Sequence, residues 1–413
     1  MSDIQRYKNE NVVELDTIEG DLELDNCRSV RPASGNEVVV TGKVRVKGET
    51  YFEGSLKAHS LDAKARDTIT IDGDLIVKTT AENRRGGLEV TGSATGEIFR
   101  AGSSLRIGRD LTCTSASGGG SVKISGNAKG RKVSAGGSVS IEGDAEVERV
   151  SAGGSVTVDG RSDIEEFSAG GSGKAHDGKI AKINIGGSFK STGAIEIEEI
   201  DVGGSIKVGP DSKVHSIDVG GTFSSEGDLT FEDIDVGGSI RIGGAGIGRT
   251  VDVGGKITTE GPLTLSGNME VGGKADIGGD FKCEAKIKIG GKIMVDGRID
   301  TYRIIVGGLI DAKYVKADGF RIGRRSEVTC PVEAREILVR ERARTRSLYG
   351  DEIRIEERAR VGSVYGREVY IERDTVVEGE TLYTEKLDAE TGVEFREEPR
   401  KVDSLPAPQS VLF

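Results

Sequence analysis

Tryptophan is missing from this chain, aromatic residues make up only 4% of it, and 413 residues hold just 7 prolines, 4 cysteines and 3 histidines. Globular enzymes usually build their cores around a few large rings, so a chain this poor in them needs another way to fill its interior. Cys27, Cys113, Cys283 and Cys330 lie far apart and form no CxxC pair, which argues against a disulfide framework or a zinc site and fits a reducing, cytoplasmic setting. His59, His176 and His215 have no Cys, His or carboxylate at metal-ligand or triad spacing, so no enzymatic centre, cofactor or metal is expected from them. No apolar run reaches the eighteen or so residues that a membrane helix needs. The opening MSDIQRYKNENVVELD carries acids and amides and reads as neither a signal peptide nor a lipidation site. The net charge of −12 is spread among 57 basic side chains with no basic stripe, which speaks against nucleic acid as a partner.

What is abundant is glycine, 62 residues of it, and it is periodic. Gly-Gly pairs begin at Gly119, Gly136, Gly153, Gly170, Gly186, Gly203, Gly220, Gly237, Gly254, Gly272, Gly290 and Gly307, almost always seventeen residues apart. A fixed period over such a span marks a repeat architecture. Aligned on the pair, the third residue before it is apolar throughout (Val133, Val150, Phe167, Ile183, Ile200 and onward to Ile304). So is the residue just before it, from Ala135 to Val306, whereas the residue between them is Ser134, Asn184, Asp201, Asp218, Asp235, Asp252 or Glu270. Neighbours that differ so consistently must point to opposite faces of a strand.

Alternation resumes after each pair, as in Ile206-Lys207-Val208, and one unit shows inward positions starting at Val202, Val208 and Val214. The expected fold is all-β: a single-stranded triangular β-solenoid, with three short parallel strands in each coil of about seventeen residues. Glycine would sit at the corners, either for a positive φ or because the next coil leaves no room for a Cβ. Residues 1–11 read as a flexible tail, 12–118 as less regular coils with small insertions such as Thr79 to Arg85, and 119–319 as the regular block. Residues 320–395 are Arg/Glu-rich, yet Glu336-Ile337, Glu352-Ile353 and Glu368-Val369 recur every sixteen residues, so the period overrules a helical reading. Residues 396–413, with Pro406 and Pro408, read as a second tail; protein clients would attach at the tails. About 22 coils would form a rod on the order of 100 Å long at ordinary strand spacing.

Two outward columns invite a chemical reading. Asp201, Asp218, Asp235 and Asp252, continued by Glu270, would stack carboxylates that either chelate cations or discourage lateral association. Tyr349, Tyr365 and Tyr383, beside Arg344 and Arg360, would form a ring ladder that stabilises the edge or meets a partner. The SAGGSGKA run at Gly173-Lys174 fails as a phosphate loop, because Ser168 stands where the first glycine is required and Ala175 where Ser or Thr is.

The stretches ITIDGDLIV (69–77) and VSAGGSVSIEGDAEVERVSAGGSVTVDG (133–160) resemble the bactofilin family of polymer-forming cytoskeletal proteins. That resemblance implies a right-handed triangular β-helix and a structural, filament-forming scaffold role by end-to-end self-association without nucleotide; this chain is an unusually long match. The ends of a solenoid expose unpaired backbone and an open apolar core, so Val12, Val13 and Leu15 at one end and Leu387, Val393 and Phe395 at the other are the expected contact residues. The rival is a hexapeptide-repeat acyltransferase, a left-handed β-helix whose six-residue unit Val208 to Lys213 fits, although its catalytic loop histidine is not recognisable here. A secreted adhesin or lyase would want an export signal.

Overall fold

The computed structural model describes residues 4–412. The chain divides into two compact units, residues 1–204 and 205–413, so the division falls inside the Gly-Gly block. Each unit is an all-β solenoid of parallel strands stacked coil on coil, and the only helix described is the five-residue Pro408–Leu412.

In the first unit, Val122, Val139 and Val156 are partners in adjacent coils, which sets the coil at seventeen residues. One short strand per coil, such as Ser138–Ile141, alternates with a longer one, such as Ala145–Ala152. Eleven short strands stack in this unit and twelve in the second. The long strand carries two inward runs separated by adjacent outward residues: in Ala145–Ala152, Val147 and Val150 are buried while Glu148 and Arg149 between them are exposed. Each coil therefore presents three inward runs, as the columns predicted, with two of them sharing one strand.

The inward columns are dry. Val150, Phe167, Ile183 and Ile200 in the first unit, and Ile217, Ile234, Met269 and Ile304 in the second, are all at most 2% exposed. Burying one such aliphatic side chain contributes roughly 1.5–3 kcal/mol, and β-branched residues suit a pleated, in-register stack.

The Gly-Gly pairs are explained by crowding alone. None of them has a positive φ. A Cβ on Gly136 would lie 2.1 Å from the carbonyl oxygen of Gly119, and one on Gly153 would lie 2.2 Å from that of Gly136. Backbone rests on backbone here, with Gly154 N–H donating to Gly137 O at 2.7 Å. Left-handed residues lie elsewhere, most regularly at Arg325, Arg342, Arg358, Asp374 and Gly392, one per coil in the carboxy-terminal coils.

Three expectations are corrected. The amino-terminal residues are not all tail, since Ile4–Lys8 form a strand in parallel register with Asp21–Asp25; residues 1–3 lie outside the described residues. Thr79 to Arg85 is not an insertion: Thr80–Asn83 pairs with the strands on both sides of it. At the other end, Arg400–Lys401 pairs with Leu382 and Tyr383, and Leu412 is buried, so residues 396–412 are not a free tail.

Candidate functional site

The two end coils behave differently. At the amino end, the register sets Gln5 over Leu22 and Tyr7 over Leu24, so inward positions of the first strand carry polar groups. The Tyr7 hydroxyl lies 3.5 Å from Gln5 Oε1, and outside the strand Arg6 pairs with Glu23 at 2.8 Å. Behind this strand Val13 and Leu15 are only 2% and 4% exposed, which overturns their assignment as contact residues; Val12, at 44%, faces solvent. The apolar interior is closed there.

At the carboxy end, Leu387 stands over Val369 and Phe395 over Val377. Val369 and Val377 are buried, whereas Leu387, Val393 and Phe395 are half-buried and Ala389 is exposed. Among the described residues no later strand pairs with Thr384–Ala389 or Glu394–Phe395, because Arg400–Lys401 covers only Leu382 and Tyr383. This end leaves apolar positions and backbone groups open.

The chain that could have covered it turns sideways instead. Val402, Leu405, Val411 and Leu412 pack against Tyr365 and Leu382, with Tyr314 and Tyr349 beside them. Tyr349 and Tyr365 do stack, centroids 6.3 Å apart. Tyr383 does not extend the ladder: Leu382 takes that position and Tyr383 falls over Gly366, where the register slips. Burial pushes the Tyr314, Tyr349 and Tyr365 hydroxyls above their ordinary range. Arg344 and Arg360 stack on each other in the neighbouring short strands.

A groove of about 540 Å³ runs along the same coils to Lys386 and Asp388. Its walls are the outward columns Glu336, Glu352, Glu368 and Leu338, Arg354, Tyr370. Arg354 lies 5.2 Å from the Tyr370 ring centre and 3.0 Å from Glu372, and the Tyr370 hydroxyl donates to Glu390 at 2.7 Å. The lining holds both acids (Glu336, Glu352, Glu368, Asp388) and bases (Arg303, Arg321, Arg354, Lys386), which suits a solvated face.

The aspartate column is real in the second unit, where Asp218, Asp235, Asp252 and Glu270 are in register and exposed; Lys288 follows and pairs with Glu270. Among the described residues no three His, Cys, Asp or Glu side chains converge to hold a metal ion. His176 Nδ1 lies 2.7 Å from Thr192 Oγ1 and His215 Nδ1 lies 3.3 Å from Glu232, both at the surface. All four cysteines are buried, and burial pushes the Cys113 and Cys330 thiols up to about 12. Among the described residues no helix is long and apolar enough to cross a membrane.

The residues that sequence reasoning missed are Gln5 and Tyr7. Their signal was available: each stands seventeen residues before a leucine of the next coil, Leu22 and Leu24. No family model, curated protein or solved structure matches the chain.

Proposed function

We propose that the chain is a structural, filament-forming cytoskeletal or scaffold protein of the cytoplasm that assembles end to end without nucleotide. The proposal takes up the resemblance to the filament-forming bactofilins, including a triangular, right-handed coil. The observation that carries it is the open carboxy-terminal coil, where Leu387, Val393 and Phe395 are half-buried on an unpaired edge. An uncovered edge of parallel strands with apolar inward residues is a template for another chain.

The test is light scattering and electron microscopy of purified protein, with and without nucleotide. End-to-end assemblies that form equally well in both conditions support the reading. A monomer at every concentration, or compact trimers of the kind an acyltransferase forms, would overturn it.

A further inference from the structure

One outward column of the long strands changes character within the second unit. Thr264, Lys282, Asp300, Lys316 and Glu333 stand in register, one per coil, and the same column then continues as Tyr349, Tyr365 and Leu382. On a bare rod such a run of rings and an aliphatic side chain would be an apolar patch open to water. Instead Tyr365 is 4% and Leu382 5% exposed, because the segment after Lys401 lies across them.

That segment is held by side chains rather than by backbone. Val402 N–H donates to Tyr383 O at 2.9 Å, and among the described residues beyond it the only backbone bond is internal, Ser410 N–H to Ala407 O. Leu412 is buried and Leu405, Pro406, Pro408 and Val411 are half-buried, while Asp403, Ser404, Gln409 and Ser410 face solvent. Proline has no N–H to offer a strand, and its fixed φ pre-forms an extended segment of the kind that aromatic-lined grooves accept. The Tyr365 hydroxyl, 3.3 Å from Glu380, keeps the polar tip of its ring at the rim. A segment packed without backbone bonds to its support belongs to the part of a fold that opens most readily.

We propose that the face of Tyr349, Tyr365 and Leu382 is a docking groove for a client protein. Its ligand is a short segment in which prolines stand between apolar anchors, and residues 402–412 are a built-in stand-in that the client displaces. The tail is then the mimic of a client rather than its point of attachment. No second copy takes part, so the groove stands apart from self-association.

Fluorescence anisotropy on the full chain tests this, with a labelled synthetic peptide of residues 402–412 as the probe. Val411→Asp/Leu412→Asp and, independently, Leu405→Asp each put a carboxylate into the apolar contact and free the groove, with circular dichroism as the check on folding. The intact chain, whose tethered segment competes at an effective concentration in the roughly millimolar range, should bind the probe at least about tenfold more weakly than the freed chains. In a freed chain Tyr365→Ser should weaken binding about tenfold or more, and Tyr365→Phe should retain it. A second peptide that keeps Val402, Leu405, Pro406, Pro408, Val411 and Leu412, with serine elsewhere, should bind as the first does, and a scrambled peptide should not. Folded, freed chains that do not bind the probe would make the segment a structural cover alone and overturn the groove. Equal binding of the scrambled peptide would overturn recognition of the proline and apolar pattern. Loss of probe binding when an equal amount of intact chain is added would mean that one copy's segment enters another's groove, and would overturn the client as occupant.

Discussion

Phe189 meets Phe167 edge to face, ring centres 5.8 Å apart and planes at 83°, over Gly173. A Cβ on that glycine would lie 2.6 Å from Phe167 Cε1 and 3.1 Å from Phe189 Cδ2. Gly173 is thus an inward position left empty so that Phe167 of its own coil and Phe189 of the next can meet. Gly248 makes the same room for Phe231, whose ring would stand 2.1 Å from a Cβ there. The expected result of Gly173→Val is a loss of about 1–3 kcal/mol by overpacking. Adding Phe189→Ala to it recovers part of the loss. Urea unfolding of both variants checks this, and a double variant no better than the single one would refute the volume exchange.

The Gly-Gly pairs make a separate prediction. Because Gly153 has an ordinary φ, a rule based on backbone conformation would accept alanine there. The 2.2 Å approach to Gly136 O does not. Gly153→Ala is expected to lower stability by more than the ~0.5–1 kcal/mol that alanine normally gains over glycine, with the sign reversed. A higher melting temperature for the variant would contradict it.

Arg358 holds a φ of 60°, and its N–H donates to Arg373 O at 3.1 Å, so the left-handed turn is bonded into the next coil. Asparagine, which tolerates that conformation, should be neutral or slightly stabilising there. A β-branched residue should cost about 1–2 kcal/mol. Chemical denaturation of Arg358→Asn and Arg358→Ile distinguishes the two.

The carboxy-terminal segment can be read through its tyrosines. Raised hydroxyls on Tyr314, Tyr349 and Tyr365 favour the neutral rings in the folded state, so their contribution is intact below the unfolded tyrosine range near pH ~10 and is lost as pH climbs through the folded values. Truncation after Lys401 removes the cover given by Val402, Leu405, Val411 and Leu412. Absorbance titration should then show tyrosines ionising earlier than in the full chain; identical curves would mean that the cover plays no part.

Acid acts with the opposite sign. The Lys123 ammonium holds the Glu142 carboxyl below its ordinary range, the Arg373 guanidinium does so for Glu357, and the Tyr370 hydroxyl for Glu390. Stability from these groups is present above the unfolded carboxyl range near pH ~4.3 and declines as pH falls through their lower folded values. Each pair is at the surface, so high salt should flatten the decline. Melting temperature against pH at two ionic strengths measures it.

The core was legible because it is written in columns: Val133, Val150 and Phe167 are apolar at a fixed interval, and nothing but stacking explains that. The terminal segments were not, because a lone coil at an end has no second copy of its pattern to be compared with. Gln5 and Tyr7 break the apolar column they belong to, so the strand passed for a polar tail. Tyr383 was misplaced for a related reason. The strand Thr381–Ala389 is one residue longer than Val364–Ile371 before it because its register slips past Gly366, and counting eighteen from tyrosine to tyrosine hides the seventeen-residue step that sets Leu382 over Tyr365. Also unread were the side-chain rungs of Asp110, Asn127 and Asp144, whose Oδ1 atoms accept the N–H groups of Asn127, Asp144 and Arg161 at 2.8 Å. In the sequence Asn127 and Asp144 are merely the polar residues after a glycine, and Asp110 follows Arg109.

Those rungs, with the glycine contacts beside them, make one coil interchangeable with the next. From Asp110 to Asp144 each coil hands on the side-chain acceptor and the glycine space that it receives, and Arg161 ends the run. Removing or duplicating seventeen residues there leaves both flanks meeting a surface of the kind they already fit. The length of such a chain is therefore a heritable dimension, adjustable in whole steps of one coil while the chemistry of its two ends stays as it was.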